Sequence, residues 1–407
     1  MADSSAELPQ RARLRLRWVV PALGVAQIIS WGSLFYPLAV LAPTIRDDLG
    51  ISDIAVFGSF TVGLFISGFA APSVGRLIDV QGGRSVLAGG SATAAAALAV
   101  LAFAQGTATL VVGFALAGLA MAGCLYDPAF ATLHRISGGA YRKAVTALTL
   151  FGGFASTVFW PLSQFLLDTG GWRVAFAVYA ALNLTICLPV HLLMLPRGRV
   201  ANVPPVADDP VGSDRPVQSS AIFTWLATAL ALAAFLSSAL SAHMIGLLTT
   251  SGMTARDAVL ISSLVGPMQV AGRVAEFTFG RHVRSLTVGT LAFGLLALAL
   301  ALLTQVRGVW ITALAFAALY GWSNGVMTIV RGTVPGELLG HDHFGALLGR
   351  LAQPQFITKA IAPVALTLVF AIDPTRTATL YLLAAIGVAA FFAYRFALRA
   401  FSRQRLH

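Results

Sequence analysis

Two lysines occur in this chain of 407 residues, and one of them, Lys359, lies inside the apolar stretch Phe344 to Ala371. Burying an ammonium in hydrocarbon costs roughly 2.5–3.5 kcal/mol on insertion scales. Lys359 is fifteen residues into the stretch, about 22 Å along a helix rising 1.5 Å per residue, in a hydrocarbon core ~30 Å thick. Snorkelling from that depth is difficult. The residue therefore reads as a site for a substrate anion or for coupling, or else as half of a structural ion pair. The carboxylates available inside apolar stretches are Asp127 and Glu276. Asp127 precedes Pro128 and reads as a proton-coupling group or as a partner of nearby Arg135. Glu276 follows Arg273 by three residues, a spacing at which opposite charges on a helix partly neutralise each other. His243 reads as a group titrating near neutral pH or as a hydrogen-bonded packing residue. Asp127, His243 and Glu276 are thus the candidates for proton coupling.

The background of these residues is strongly apolar. Hydrophobic residues make up 57% of the chain and charged residues 11%, against about 25% charged in soluble proteins. The expectation is an all-α membrane protein. A spanning helix needs about 20 apolar residues, and twelve runs qualify: 18–45, 54–75, 85–104, 108–133, 144–168, 172–195, 221–248, 256–280, 286–304, 308–331, 344–371 and 377–398. The basic segment before the first run resembles a signal sequence, but the run is too long and has no small-residue cleavage site, so it reads as an uncleaved first helix.

The net charge of +11 is spread between the runs rather than gathered into a patch, which argues against a nucleic-acid partner. One set of loops holds Arg11, Arg13, Arg15, Arg17, Arg76, Arg84, Arg135, Arg142, Lys143, Arg197, Arg199, Arg215, Arg281, Arg284, Arg395, Arg399, Arg403 and Arg405; the alternate loops hold Arg46, Arg173, Arg256, Arg307 and Arg376. The positive-inside rule makes the first set cytoplasmic, with both termini inside and the protein multi-pass in a bacterial-type inner membrane. An even number of crossings requires the same. Cys124 and Cys187 each sit in an apolar run and read as small buried hydrophobes. No metal-ligand cluster and no cofactor motif is present.

Residues 196–220 are rich in Pro, Asp, Ser and Val without helical period and read as a cytoplasmic linker. It separates an N-terminal six-helix bundle, 1–195, from a C-terminal one, 221–407. The halves look like copies: GRLIDVQGGR at 75–84 and GRVAEFTFGR at 272–281 share Gly, Arg, acid, Gly and Arg, and Pro161 matches Pro363. Internal symmetry of this kind marks secondary transporters.

GRLIDVQGGR resembles the conserved loop of the major facilitator superfamily. The twelve runs, the linker and the degenerate second copy extend the resemblance over the whole chain. It implies the major facilitator fold, two pseudo-symmetric six-helix bundles, and a gating loop formed by Gly75, Arg76, Asp79, Gly83 and Arg84. Physically, Asp79 suits the positive end of a helix, Arg84 suits a carboxylate, and Gly75 and Gly83 allow close backbone approach. GGWRVAF at 170–176, FWP at 159–161, the lysine of the eleventh run and the arginine of the eighth resemble the oxalate/formate antiporter and monocarboxylate transporter branch. That resemblance implies that Lys359 and Arg273 bind a carboxylate. The sequence departs from the branch where Val274 follows Arg273.

Two registers of the repeat compete. Matching Gly272 to Gly75 places Arg273 at the cytoplasmic gate, while matching Gly280 to Gly75 places it two turns deeper. Asp53 and Asp257 both look like helix starts. They lie 22 residues before Gly75 and 23 before Gly280, but Asp257 lies only 15 before Gly272. Equal helix length favours the deeper register. Further residues near mid-depth are Trp31 and Tyr36 on the first run, Thr157 on the fifth, opposite Lys359 in the repeat, and Tyr320, Trp322 and Asn324 on the tenth. An aromatic wall around one or two cations suits a small organic anion, although each aromatic is also an ordinary packing residue.

These readings converge on a secondary active transporter, not an enzyme. It would move a small organic anion, a carboxylate by class, by alternating access with proton symport or anion exchange. The alternative is proton-coupled efflux of drugs or other small molecules. No GxxxxGK[ST] occurs, so a gradient must drive the cycle. The expected partners are the substrate, protons and the lipid bilayer, with the protein a monomer.

Overall fold

The computed structural model describes residues 10–197, 221–280, 283–373 and 376–404; of residues 10–15 and 371 only the backbone is described. The segment 198–220, Arg281 and Arg405 therefore lie outside the described residues, as do the side chains of Arg11, Arg13 and Arg15. The described chain is helical throughout. Among the described residues, nine continuous helical runs are long and apolar enough to cross a membrane. One of them, Thr107–Met194, contains the fourth, fifth and sixth crossings in succession. With the 29-residue helix Phe344–Ile372 as the eleventh crossing, the count is twelve.

Local chemistry sets the helix starts. Ser52 caps Asp53–Gln81 by accepting from the Ala55 amide at 3.2 Å. Thr254 caps Ala255–Phe279 by accepting from the Asp257 amide at 3.1 Å. Each hydroxyl satisfies one of the amides left without a partner in a first helical turn.

Two crossings are broken beside proline, and glycine turns the chain between two others. The first is divided into Gln10–Leu34 and Leu38–Leu49 around Phe35, Tyr36 and Pro37. The fourth is divided into Thr107–Cys124 and Tyr126–Ser137, with Leu125 extended at φ −80°, ψ −158°. Pro128 is the cause. Its ring removes the N–H that would bond the Cys124 carbonyl four residues back. Gln27 Nε2 takes up that carbonyl at 2.8 Å. Between the fifth and sixth crossings Gly171 adopts φ +79°, a conformation glycine enters without penalty.

Two boundaries differ from those read off hydropathy. The second crossing runs to Gln81, so Gly75, Arg76 and Asp79 of the expected gating loop lie on the last turns of a helix. Gly82, at φ +86°, makes the break, and Gly83 and Arg84 open the next helix, Gly83–Ala102. The tenth crossing, Trp310–Leu339, extends eight residues beyond the end of its apolar run at 331. In both cases the apolar run ends before the helix does, because a backbone ladder continues into polar side chains at the membrane boundary.

The chain divides into two compact units. One comprises 1–212 with Asp342–Gln353, the first turns of the eleventh helix; the other comprises 213–341 with Pro354–His407. Each is held by close packing of small residues. In the first unit Gly118 of the fourth crossing abuts the backbone of Gly63 in the second. In the second unit Gly321 of the tenth abuts Val265 in the eighth. Both glycines lie eleven residues after the first residue of their helices, Thr107 and Trp310. Their contacts lie eleven residues after the caps Ser52 and Thr254. Packing therefore fixes the repeat: Gly63 corresponds to Val265, and Arg273 to Ala71, one turn deeper than Gly75.

Candidate functional site

The second unit carries the cations. In the eleventh helix Pro363 removes the N–H that would bond the Lys359 carbonyl. Ser238 Oγ from Ala221–Thr250 donates to that carbonyl at 2.7 Å. One residue earlier, Thr358 Oγ1 donates to the Ala231 carbonyl at 2.9 Å. The Lys359 backbone is thereby fixed to the seventh crossing. Its side chain is half-buried, with Nζ 5.7 Å from the centroid of the Phe356 ring, within the range of a cation–π attraction. Five residues beyond Ser238, His243 bonds the Pro363 carbonyl through Nε2 at 3.0 Å and meets Phe370 edge-on at 5.0 Å. A ring nitrogen on a carbonyl must carry its proton, so His243 is a donor here.

Arg273 is buried, and its Nε donates to the Gly325 carbonyl at 3.3 Å. Gly325 lies fifteen residues into the 30-residue tenth helix, at its middle. Asn324 is the adjoining residue, and the Trp322 backbone packs on Gly272. The Arg273 Nη1 is buried with no hydrogen-bond partner. Glu276, one turn on, is buried as well. Tyr320 is buried and stacks on Phe316 with centroids 5.8 Å apart.

The first unit carries aromatic rings. The break after Leu34 leaves the Trp31 carbonyl accepting from both Phe35 and Tyr36 amides, at 3.1 and 3.2 Å. This folds the rings back on one another. Trp31 lies 5.1 Å from Tyr126 and 6.3 Å from Tyr36, and Tyr36 lies 6.1 Å from Trp160. Tyr126 begins the helix that opens after the Pro128-induced break, with Asp127 buried beside it. Asp127 lines a small cavity with Gly75, Ile78, Pro128, Gly345 and Gly349. Arg135 Nη1 donates to the Ile78 and Asp79 carbonyls at 3.2 and 2.8 Å, closing the end of the second helix. Thr157 is exposed on the fifth crossing.

At the expected gate, Asp79 accepts from the Gly345 and Ala346 amides at 2.9 and 2.7 Å. A carboxylate there offsets the positive end of a helix dipole. Gly75 packs against the Gly345 backbone, and Gly83 against Thr132. Arg76 reaches Ser73 at 3.4 Å, while Arg84 is half-buried and forms no ion pair with a described residue. The GGWRVAF motif has a structural use. Trp172 Nε1 and Arg173 Nη1 both donate to Asp48 Oδ2, at 3.2 and 2.5 Å, and Arg173 Nη2 donates to the Ala104 carbonyl at 3.0 Å.

Sequence reading missed Ser238, Tyr126, Phe356 and Arg331. Arg331 is buried on the tenth helix with its guanidinium carbon 5.9 Å from the Phe356 ring. It was hidden because it ends the apolar run. The signal that could have found it is the apolar content of the residues that follow, Val334, Pro335 and Leu338, all buried. The two cysteines, separate in sequence, approach the same hydroxyl: Ser30 Oγ lies 3.9 Å from Cys187 Sγ and also bonds Cys124.

Twelve crossings, a repeated six-helix plan and charged groups at mid-helix define a polytopic membrane transporter. The sequence description of the Major Facilitator Superfamily matches residues 23–275, and the chain belongs to that family, one of transporters and not of enzymes. It is 31% identical over 173 residues to an uncharacterized 38 kDa protein in a 23S RNA operon of Thermoproteus tenax. It is 28% identical over 154 residues to the purine ribonucleoside efflux pump NepI of Escherichia coli O1:K1. These alignments cover 42% and 38% of the chain and 45% and 38% of the relatives, so the chain spans less than half the length of the curated relatives it matches. Among solved structures, the human organic anion transporter TETRAN superposes with a TM-score of 0.68 at 18% identity, over 95% of this chain and 100% of that one. The E. coli fucose:proton symporter FucP superposes with a TM-score of 0.64 at 16% identity, over 95% and 97%. At these identities the likeness carries the fold.

Proposed function

We propose that the chain moves a small organic anion, a carboxylate by class, by alternating access, driven by proton symport or anion exchange. The observation that carries this reading is the state of the cations in the second unit. Lys359 is set mid-helix with its backbone pinned by Ser238. Arg273 is buried at the middle of the tenth helix with an unused Nη1 donor. Intramembrane cations are expensive, and anion binding offsets that cost. The substrate named for TETRAN falls in the same class.

In this reading Trp31, Tyr36, Thr157, Tyr320, Trp322 and Asn324 complete the substrate site. Asp127, His243 and Glu276 are the groups from which proton coupling is drawn. Gly75, Arg76, Asp79, Gly83 and Arg84 form the gate. The bundles are 1–195 and 221–407, joined by the linker 196–220. The protein lies in a bacterial-type inner membrane with both termini cytoplasmic and works as a monomer.

A second reading is proton-coupled efflux of drugs or other small molecules. The partial likeness to the NepI efflux pump supports it, and Lys359 would then serve coupling or structure. Uptake of a panel of radiolabelled organic acids into vesicles holding the purified protein separates the two. Loss of uptake in Lys359→Ala with retention in Lys359→Arg supports anion transport. Undiminished uptake by the alanine variant overturns it.

A further inference from the structure

We propose that the basic end of the twelfth crossing, together with the start of the ninth, binds the headgroup phosphate of an anionic phospholipid. The twelfth crossing is the helix Thr377–Gln404. Arg395, Arg399 and Arg403 follow one another at four-residue intervals near its end. That spacing stacks them on one face, about 6 Å apart along the axis. Arg395 is half-buried and the other two are exposed. None of the three forms an ion pair with a described residue. A cation in the last turn offsets the helix dipole, which accounts for Arg403. Arg395 and Arg399 stand nine and five residues before Gln404, beyond the reach of that effect.

The neighbouring side chains suit the rest of a lipid. Phe392 and Phe396 lie seven and three residues before Arg399, on the same side of the helix, and both are exposed. Trp225 of the seventh crossing, also exposed, lies 5.0 Å from Phe396. The Arg399 guanidinium carbon is 5.8 Å from the Phe396 centroid. Aromatic rings sit where acyl chains meet headgroups, and basic side chains just beyond them attract anionic lipids.

The ninth crossing, Ser285–Leu303, supplies further donors. Its first turn holds no acidic residue, and its N-cap residue, Arg284, makes no side-chain cap. The Ser285 hydroxyl is buried there with no hydrogen-bond partner. First-turn amides point outward as donors and favour an anion. The Tyr394 hydroxyl donates to the Leu286 carbonyl at 3.0 Å, so the turn that carries Arg395 lies beside this first turn. Arg284 is exposed. Glu337, exposed on the tenth crossing, is the carboxylate that acts on Tyr394. Arg284, Arg395, Arg399 and Arg403 outweigh it, so the surface is positive. A phosphodiester brings acceptors to Ser285, to the amides and to Arg395, and its acyl chains run on over Phe392.

The test is native mass spectrometry of the purified full-length protein in detergent holding equal amounts of phosphatidylglycerol and phosphatidylcholine. A basic side chain at a membrane surface favours an anionic lipid by roughly fivefold, so the first lipid retained by the wild type should be phosphatidylglycerol by at least about tenfold. Arg395→Gln/Arg399→Gln should bring the ratio below about threefold, and Arg395→Lys/Arg399→Lys should keep most of it. Ser285→Ala should lower the ratio severalfold without lowering the melting temperature. Arg17→Gln, at the exposed basic end of the first crossing, should leave it unchanged.

A wild-type ratio near one overturns the site, as does a ratio unchanged in the double glutamine variant. An equal loss in Arg17→Gln assigns the preference to net charge and overturns it too. A lysine variant as indifferent as the glutamine variant assigns the arginines to structure, against the proposal. A ratio unchanged in Ser285→Ala overturns the part given to the ninth crossing. Displacement of the retained phosphatidylglycerol by millimolar inorganic phosphate marks a site for free phosphate and overturns the lipid assignment. If the double glutamine variant does not fold, Arg399→Gln, at an exposed position, decides by the same ratio.

Discussion

In the first unit Pro128 frees the Cys124 carbonyl, and Gln27 of the first crossing takes it up. In the second unit Pro363 frees the Lys359 carbonyl, and Ser238 of the seventh crossing takes it up. The device is the same, and the seventh crossing is the repeat counterpart of the first. What stands beside the repaired break differs. In the first unit the break presents Tyr126 to a run of rings through Trp31, Tyr36 and Trp160. In the second it presents an ammonium next to Phe356, with Arg331 on the same ring. Scaffold and chemistry therefore separate: packing and carbonyl repair repeat across the two units, while the cations beside the break belong to the second.

That separation is most open to attack at Lys359. Lys359→Ala removes a charge-assisted partner worth about 1.5–3 kcal/mol, so anion affinity should fall by roughly 10- to 100-fold with little change in melting temperature. Titration of the variant checks this, and an equal loss on a first-unit substitution such as Trp160→Phe would show that the charge asymmetry is not what binding reads.

The scaffold half of the comparison rests on Gly118 and Gly321. Gly118→Leu and Gly321→Leu should destabilise their units alike, by about 1–3 kcal/mol each through overpacking. Denaturation of the two variants measures it, and a large imbalance would break the equivalence of the two contacts.

The repaired carbonyls come next. Gln27→Leu and Ser238→Ala each remove the side-chain donor from a proline-freed carbonyl, at about 1–3 kcal/mol. The effects should diverge in function: Ser238→Ala also loosens Lys359 and should weaken anion binding severalfold, while Gln27→Leu should alter stability alone. The smallest effect is expected at the rings. Trp160→Phe keeps an aromatic face against Tyr36 and should change affinity by less than about threefold, since aromatic pairs contribute about 0.5–1.5 kcal/mol in all. A vesicle uptake assay resolves that difference.

The crossings were legible in the sequence because a bilayer leaves the backbone few options and apolar length reports them directly. Helix ends were less so. Hydropathy marks where side chains turn polar, and the backbone ladder does not stop there. Reading Gly75–Asp79 as loop and ending the tenth run at Arg331 both follow from equating the two, and the second put a buried arginine at a surface. Neither glycine match of the repeat reproduces the packing register, because the eighth helix ends at Phe279, short of the length of the second. The charge of Asp79 pointed to a helix terminus; that the terminus begins at Phe344 is a matter of packing far along the chain. Ser238 carried no signal of its own. Its use appears only when Pro363 is seen to have left a carbonyl open on the facing helix.

The Ser238 bond has a mechanical consequence. A helix resists bending through its ladder of backbone bonds, and a proline removes a rung. In the eleventh helix Pro354 and Pro363 each remove a rung, and the one lost from the Lys359 carbonyl is replaced by a hydroxyl that can swing and re-form. The helix is thus a set of stiff rods joined at compliant joints, and Lys359 sits at one of them. When such rods tilt, points far from the joint sweep the widest arcs and the joint moves least. The ammonium can hold its place while the chain on either side of it changes direction.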